Sequence, residues 1–120
     1  MQLYMIELTV TDIANSQAWY EQALGLVTTL TDNERQFRLL EAPGGGRIAL
    51  KQGKPHAGSV ALQFEVSDLL VEMQRLQHHG IEVQKTIKTS SEGYRRILLQ
   101  DPDGHLIGLF DWHAPKTSTP

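Results

Sequence analysis

The chain has no cysteine, so disulfides, thiolate nucleophiles and zinc ribbons are excluded from the start. It has no apolar run long enough to cross a bilayer. Its first residues, Met1-Gln2-Leu3-Tyr4, lack the basic and apolar regions of a secretory leader, so the expected location is the cytoplasm. It also lacks an excess of charge of one sign. The net charge is −3 with both signs scattered, where a nucleic-acid binder would carry a basic face. Arg95-Arg96 is too short a basic cluster to alter that and reads as a solvated strand edge. What remains is an ordinary globular composition, 40% apolar over 120 residues, enough for one compact domain.

The periodicity of the chain changes twice in the same way. Leu3–Val10 alternates as a half-buried strand, and Thr11-Asp12 offers a helix N-cap. Ile13, Ala14, Ala18, Trp19, Ala23 and Leu24 form a helical stripe, with Trp19 in the core and Tyr20 at its rim. Gly25 stops this helix. Strands are expected at 26–30, 35–41 and 47–52. The turn Ala42-Pro43-Gly44-Gly45-Gly46 lies between the last two. A strand rather than a helix follows that turn, so its glycines do not make a phosphate cradle.

After a linker at 54–58 the order begins again. Val60–Val66 reads as a strand, Ser67-Asp68 as a cap, and 69–79 as a helix with Leu69, Leu70 or Val71, Met73 and Leu76 inward. A strand at 81–87, a polar loop at 88–93 and a hairpin from Tyr94 to Trp112 complete it. The hairpin turns at Asp101-Pro102-Asp103-Gly104, where Pro102 presets φ and Gly104 accepts φ > 0.

The two halves match piece by piece. Val10-Thr11-Asp12-Ile13 matches Val66-Ser67-Asp68-Leu69, and Gly25-Leu26 matches Gly80-Ile81. Leu39–Gly45 matches Leu98–Gly104, and Ile48-Ala49-Leu50 matches Ile107-Gly108-Leu109. The expected fold is α+β: two βαβββ modules related by a pseudo-twofold, with curved mixed sheets enclosing a cavity. Module one spans 1–53 and module two 59–113 of a single domain at 1–113. A frayed tail at 114–120 follows. Strand alternation puts Met5, Glu7, Thr9, Arg47, Ala49, Lys51, Ala61, Gln63, Glu65, Leu106, Gly108, Phe110 and Trp112 on the cavity side. Arg96 and Leu98 are assigned there from the neighbouring strand.

These motifs, together with Ser16, Trp19-Tyr20, His105 and the order of the elements, resemble the vicinal oxygen chelate superfamily. That family comprises glyoxalase I, extradiol dioxygenases, fosfomycin-resistance transferases and bleomycin-resistance proteins. Its metal-dependent members place His or Glu at up to four cavity positions, leaving an open site on a divalent ion. The resemblance carries those positions onto Met5, Ala49, Ala61 and Gly108, none of which is a hard nitrogen or oxygen ligand. The expectation is therefore no metal and no cofactor. Ser90–Gly93 resembles a loop of the fosfomycin-resistance enzymes and is expected to cover the cavity mouth.

The resemblance and the missing ligands favour a metal-free protein that binds, and sequesters, a small organic molecule. Its expected pocket is Met5, Glu7, Ala49, Lys51, Gln63, Glu65, Arg96, Leu98, Gly108, Phe110 and Trp112, with no catalytic residue assigned. Two enzymes are the alternatives. One is a metal-independent lyase or isomerase with Glu7 or Glu65 as base, the other a metal enzyme whose site has shifted to Glu7, Gln63 and Glu65. A third reading is an interaction module whose cavity is filled by side chains. The expected partner is a second copy of the chain in a homodimer, with no nucleic acid and no membrane.

Overall fold

The computed structural model describes residues 1–58, 60–83 and 87–112. Its elements are β1 (Ile6–Val10), α1 (Ile13–Leu24), β2 (Val27–Asp32), β3 (Phe37–Glu41), β4 (Arg47–Gln52), β5 (Ala61–Glu65), α2 (Leu69–His78), β6 (Lys88–Thr89), β7 (Tyr94–Gln100) and β8 (Leu106–Trp112). They form two four-stranded mixed sheets, each with one helix. The sheet orders are β1-β4-β3-β2 and β5-β8-β7-β6, the same order made twice. The chain divides into two compact units, Met1–Ser59 with Asp101–His105, and Val60–Gln100 with the residues from Leu106 on. The expected βαβββ repeat is thus what the chain builds.

In the first unit, β1 runs parallel to β4, and β3 runs antiparallel to β4. Leu8, Val10, Leu40, Ile48 and Leu50 share one face by register, and all are buried. Each such side chain removed from water stabilises the fold by about 1.5–3 kcal/mol. Helix α1 begins where the Asp12 carboxylate accepts from the Asn15 N–H at 3.1 Å. It ends where Gly25 turns left-handed at φ 67°.

The buried stripe of α1 is Ile13, Ser16, Tyr20 and Ala23; Ile13 and Ala23 belong to the expected stripe, whereas Ala14 and Ala18 are exposed. Trp19 is half-buried, whereas Tyr20 is fully buried. The cause is a distant acceptor. The Tyr20 hydroxyl donates to Asp101 Oδ2 at 2.6 Å, from the turn segment that belongs to this unit. Burial first, and the hydrogen bond to the Asp101 carboxylate next, raise the Tyr20 phenol well above the usual tyrosine range.

In the second unit, β5 pairs parallel with β8, β7 antiparallel with β8, and β6 antiparallel with β7. Leu62, Ile97, Leu99, Ile107 and Leu109 are buried with Leu69 and Leu76 of α2. Leu70 and Val71 are exposed rather than inward, and Met73 is half-buried. A ten-residue helix has room for few inward positions, and Leu69 and Leu76, two turns apart, take them.

The strand expected at 81–87 is absent from its described residues, 81–83 and 87. The edge strand is instead the two-residue β6 inside the expected loop. Position 84–86 of that expectation lies outside the described residues, as does the tail expected at 114–120.

Each helix start is tied to the last strand of its module. In the first unit Gln52 Oε1 accepts from the Ile13 N–H at 3.2 Å. In the second, Asp111 Oδ2 accepts from the Leu69 N–H at 2.7 Å. Asp111 also accepts from Arg95 Nε at 2.8 Å and Nη2 at 3.0 Å. Arg95 is therefore no solvated edge residue. That two-pronged pairing raises its pKa further above the ordinary arginine value.

Candidate functional site

With the helix-facing side of the second sheet filled by Ile97, Leu99, Ile107, Leu109 and Asp111, strand alternation gives the opposite face to the intervening residues. Four rows cross it, the first made by Ala61, Leu106 and Gln100. Gln63 pairs with Gly108, and Gly108 with Leu98. Glu65 pairs with Phe110, Phe110 with Arg96, and Arg96 with Lys88. Trp112 pairs with Tyr94. On this face Gln63, Tyr94, Arg96, Phe110 and Trp112 line a cavity of about 420 Å³. That volume suits a small organic molecule.

Four of these residues belong to the pocket read from sequence, and Arg96 and Leu98 stand in register with Phe110 and Gly108. Tyr94 was missed. It lies two residues before Arg96 on one strand, so the same alternation that placed Arg96 and Leu98 points to it.

The three aromatic rings stand edge-to-face. Tyr94 lies 6.1 Å from Phe110 and 5.9 Å from Trp112, and Phe110 lies 5.9 Å from Trp112, with interplanar angles of 71° to 89°. That arrangement suits the ring quadrupoles and leaves flat walls meeting at steep angles. Arg96, half-buried beside them, makes no hydrogen bond or ion pair among the described residues. The Gln63 carboxamide lies over Gly108, in the space a Cβ there would need. Leu98 and Gly108 therefore sit on the pocket's face without lining it, and Glu65 is exposed beyond Phe110.

The other expected pocket residues lie on the first sheet. Glu7 pairs with Ala49, and Thr9 with Lys51, on the face opposite the Leu8–Val10 core. Glu7 and Lys51 are exposed, Met5 is half-buried, and Ala49 is completely buried. Gln63, Arg96, Phe110 and Trp112 are thus brought together on the second sheet, while Met5, Glu7, Ala49 and Lys51 belong to the first unit.

The residues do not fit a divalent metal of the kind the resemblance implies. Ala49, Ala61 and Gly108 carry no donor atom, and a thioether such as Met5 is a soft ligand. The amide of Gln63 covers the one position on β8 from which a carboxylate would reach out. No group of three or more His, Asp or Glu residues suited to a metal comes together among the described residues. His105 is occupied elsewhere, with Nε2 at 2.9 Å from the Thr9 carbonyl oxygen.

The chain builds one βαβββ module twice, each with its first strand parallel to its last. The chain belongs to the Glyoxalase/Bleomycin resistance protein/Dioxygenase superfamily, whose family model matches residues 2–109. A protein from the mobile metagenome of V. Pseudocholerae is similar at 26% identity and a TM-score of 0.75, covering 93% of this chain and 95% of that one. A genomically encoded fosfomycin resistance protein from Listeria monocytogenes shares the fold at 18% identity and a TM-score of 0.78, covering 92% and 93%. A glyoxalase/bleomycin resistance protein/dioxygenase from Nocardioides shares it at 19% identity and a TM-score of 0.74, covering 100% and 90%. No functionally curated protein matches the sequence.

Proposed function

We propose that this chain is a metal-free small-molecule-binding protein of the glyoxalase/bleomycin-resistance type, holding its ligand in the aromatic pocket of the second sheet. The observation that carries this reading is the cavity of about 420 Å³ lined by three aromatic rings, a carboxamide and an arginine that has no ion pair among the described residues. Buried aromatic surface supplies most of the affinity in such pockets, and a few polar groups fix orientation. The want of hard donors at Met5, Ala49, Ala61 and Gly108 supports a role in which no metal takes part. Glu7 and Glu65 are both exposed, and among the described residues neither has an acid partner to share a proton, so the reading is binding rather than proton transfer.

The same reading has two copies pairing in the cytoplasm. Edge strand β2 carries Val27 and Leu30 exposed, which supports pairing. No helix among the described residues is long and apolar enough to cross a membrane.

The test is thermal shift against a library of flat organic compounds, with mass spectrometry of whatever co-purifies. A binder that raises the melting temperature of the protein, and fails to raise that of Phe110→Ser, is the expected result. If no compound does so and the chain dimerises tightly, the protein is an interaction module instead.

A further inference from the structure

The arginines of the two sheets are unevenly satisfied. Arg38, buried on the first sheet, donates from Nε to Gln17 Oε1 at 2.9 Å and from Nη2 to Asn33 Oδ1 at 3.0 Å. Arg95 has Asp111. Arg96, one residue further on, has no such partner among the described residues, although it is half-buried in the cavity wall. Its cross-strand partner is Lys88, a second cation on the same face, also without an ion pair among the described residues. Like charges set directly opposite on a sheet are destabilising. A guanidinium held this way beside aromatic walls is complementary to an anion, and its fork matches a carboxylate. The aromatic box alone would equally suit a cation, but on this row the two cations Arg96 and Lys88 outnumber the one acid, Glu65, which is exposed beyond Phe110.

We infer that the pocket takes a planar aromatic carboxylate, with its ring among Tyr94, Phe110 and Trp112 and its carboxylate on Arg96. This rests on the small-molecule reading above and adds the ligand's charge and shape. Lys88 reinforces the attraction from the rim, where it acts chiefly through the field and is weakened by salt. The Gln63 amide, laid over Gly108, donates to the same carboxylate from the neighbouring row.

The probes are 1-naphthoate, the uncharged 1-naphthalenemethanol and the cationic 1-naphthylmethylammonium, titrated into the full-length protein labelled with 15N. The indole N–H of Trp112 reports the pocket, and that of Trp19, on α1, serves as the control. Naphthoate is expected to shift Trp112 and to bind at least about tenfold more tightly than the alcohol. Arg96→Gln should bring the two within about twofold while leaving the Trp19 resonance and the melting temperature in place. If Arg96→Gln does not fold, salt replaces it. Raising NaCl from about 50 to about 500 mM should weaken naphthoate and not the alcohol.

Equal or tighter binding of the alcohol or the ammonium at Trp112 would overturn the charge assignment while leaving a small-molecule pocket. An acid preference that survives both Arg96→Gln and salt would overturn the role of Arg96. Failure of all three probes to move Trp112 would overturn the inference as a whole, and the library screen then decides the broader reading by itself.

Discussion

The turns that join the last two strands of the modules differ in what they hold. Ala42–Gly46 and Asp101–His105 close with the same pair of backbone hydrogen bonds, Ala42 N–H to Gly46 O and Gly45 N–H to Ala42 O in one, Asp101 N–H to His105 O and Gly104 N–H to Asp101 O in the other. In the first turn the glycines leave little but backbone. In the second, Asp101 Oδ1 also accepts from the Asp103 and His105 N–H groups at 2.9 and 2.8 Å, and Oδ2 accepts from Tyr20. The backbone path was duplicated and the side-chain work was given to one copy. The pocket repeats the lesson. Gln63, Arg96 and Phe110 stand where the first module has Glu7, Phe37 and Lys51, and Trp112 stands where it has Gly53. One βαβββ module carries the flat aromatic walls, and the other does not.

The largest effect should come from the loaded turn. Asp101→Ala removes the acceptor of three hydrogen bonds and strands a buried tyrosine hydroxyl, for a loss of about 4 kcal/mol. Ala42→Ser at the matching position should stay within about 0.5 kcal/mol, both read by urea denaturation. An equal loss at the two positions would break the contrast.

The helix starts come next. Asp111→Ala strands Arg95 and the Leu69 N–H and should cost about 3 kcal/mol. Gln52→Ala, which loses one longer bond to a neutral group, should cost about 1 kcal/mol.

Tyr20→Phe should cost about 2 kcal/mol, since it leaves the Asp101 carboxylate short of a donor. It should also change the alkaline limb of stability. The folded-state phenol titrates above its unfolded value of 10.0, so its contribution is complete below that pH and is lost above it. The unfolded chain releases the proton first, and stability falls by about 1.4 kcal/mol per pH unit beyond about pH 10. Tyr20→Phe should lack that share of the slope.

The smallest effect is expected at Gly108. A Cβ there meets only the end of the flexible Gln63 side chain, so Gly108→Ala should change stability by less than about 1 kcal/mol while displacing the amide from the pocket floor.

The fold was legible because both cues occur twice: the capped helix closed by Gly25 or Gly80, and the hairpin turn after Leu40 or Leu99. Local signals were enough for α1 and for β4, β7 and most of β8. They failed where a distant group decides. Trp19 and Tyr20 are neighbours on a helix, and no periodicity says which is buried. Asp101, 81 positions along the chain, makes it Tyr20. Ser16 replaces the expected alanines on the same face because the helix rotates with Tyr20. The pair at Lys88–Thr89 was hidden because two polar residues on an edge show no alternation. In the pocket, alternation was sufficient for Gln63, Arg96, Phe110 and Trp112. That Arg95 is held by Asp111 while Arg96 stays open depends on strand register, which two adjacent arginines do not disclose.

The most direct test of the account is the metal content of the untagged protein after exposure to zinc, nickel, manganese and ferrous iron. Retention of less than about 0.1 metal per chain is expected, with naphthoate binding unchanged by a chelator. Retention of about one metal per chain, with ligand binding lost on chelation, would contradict the metal-free reading.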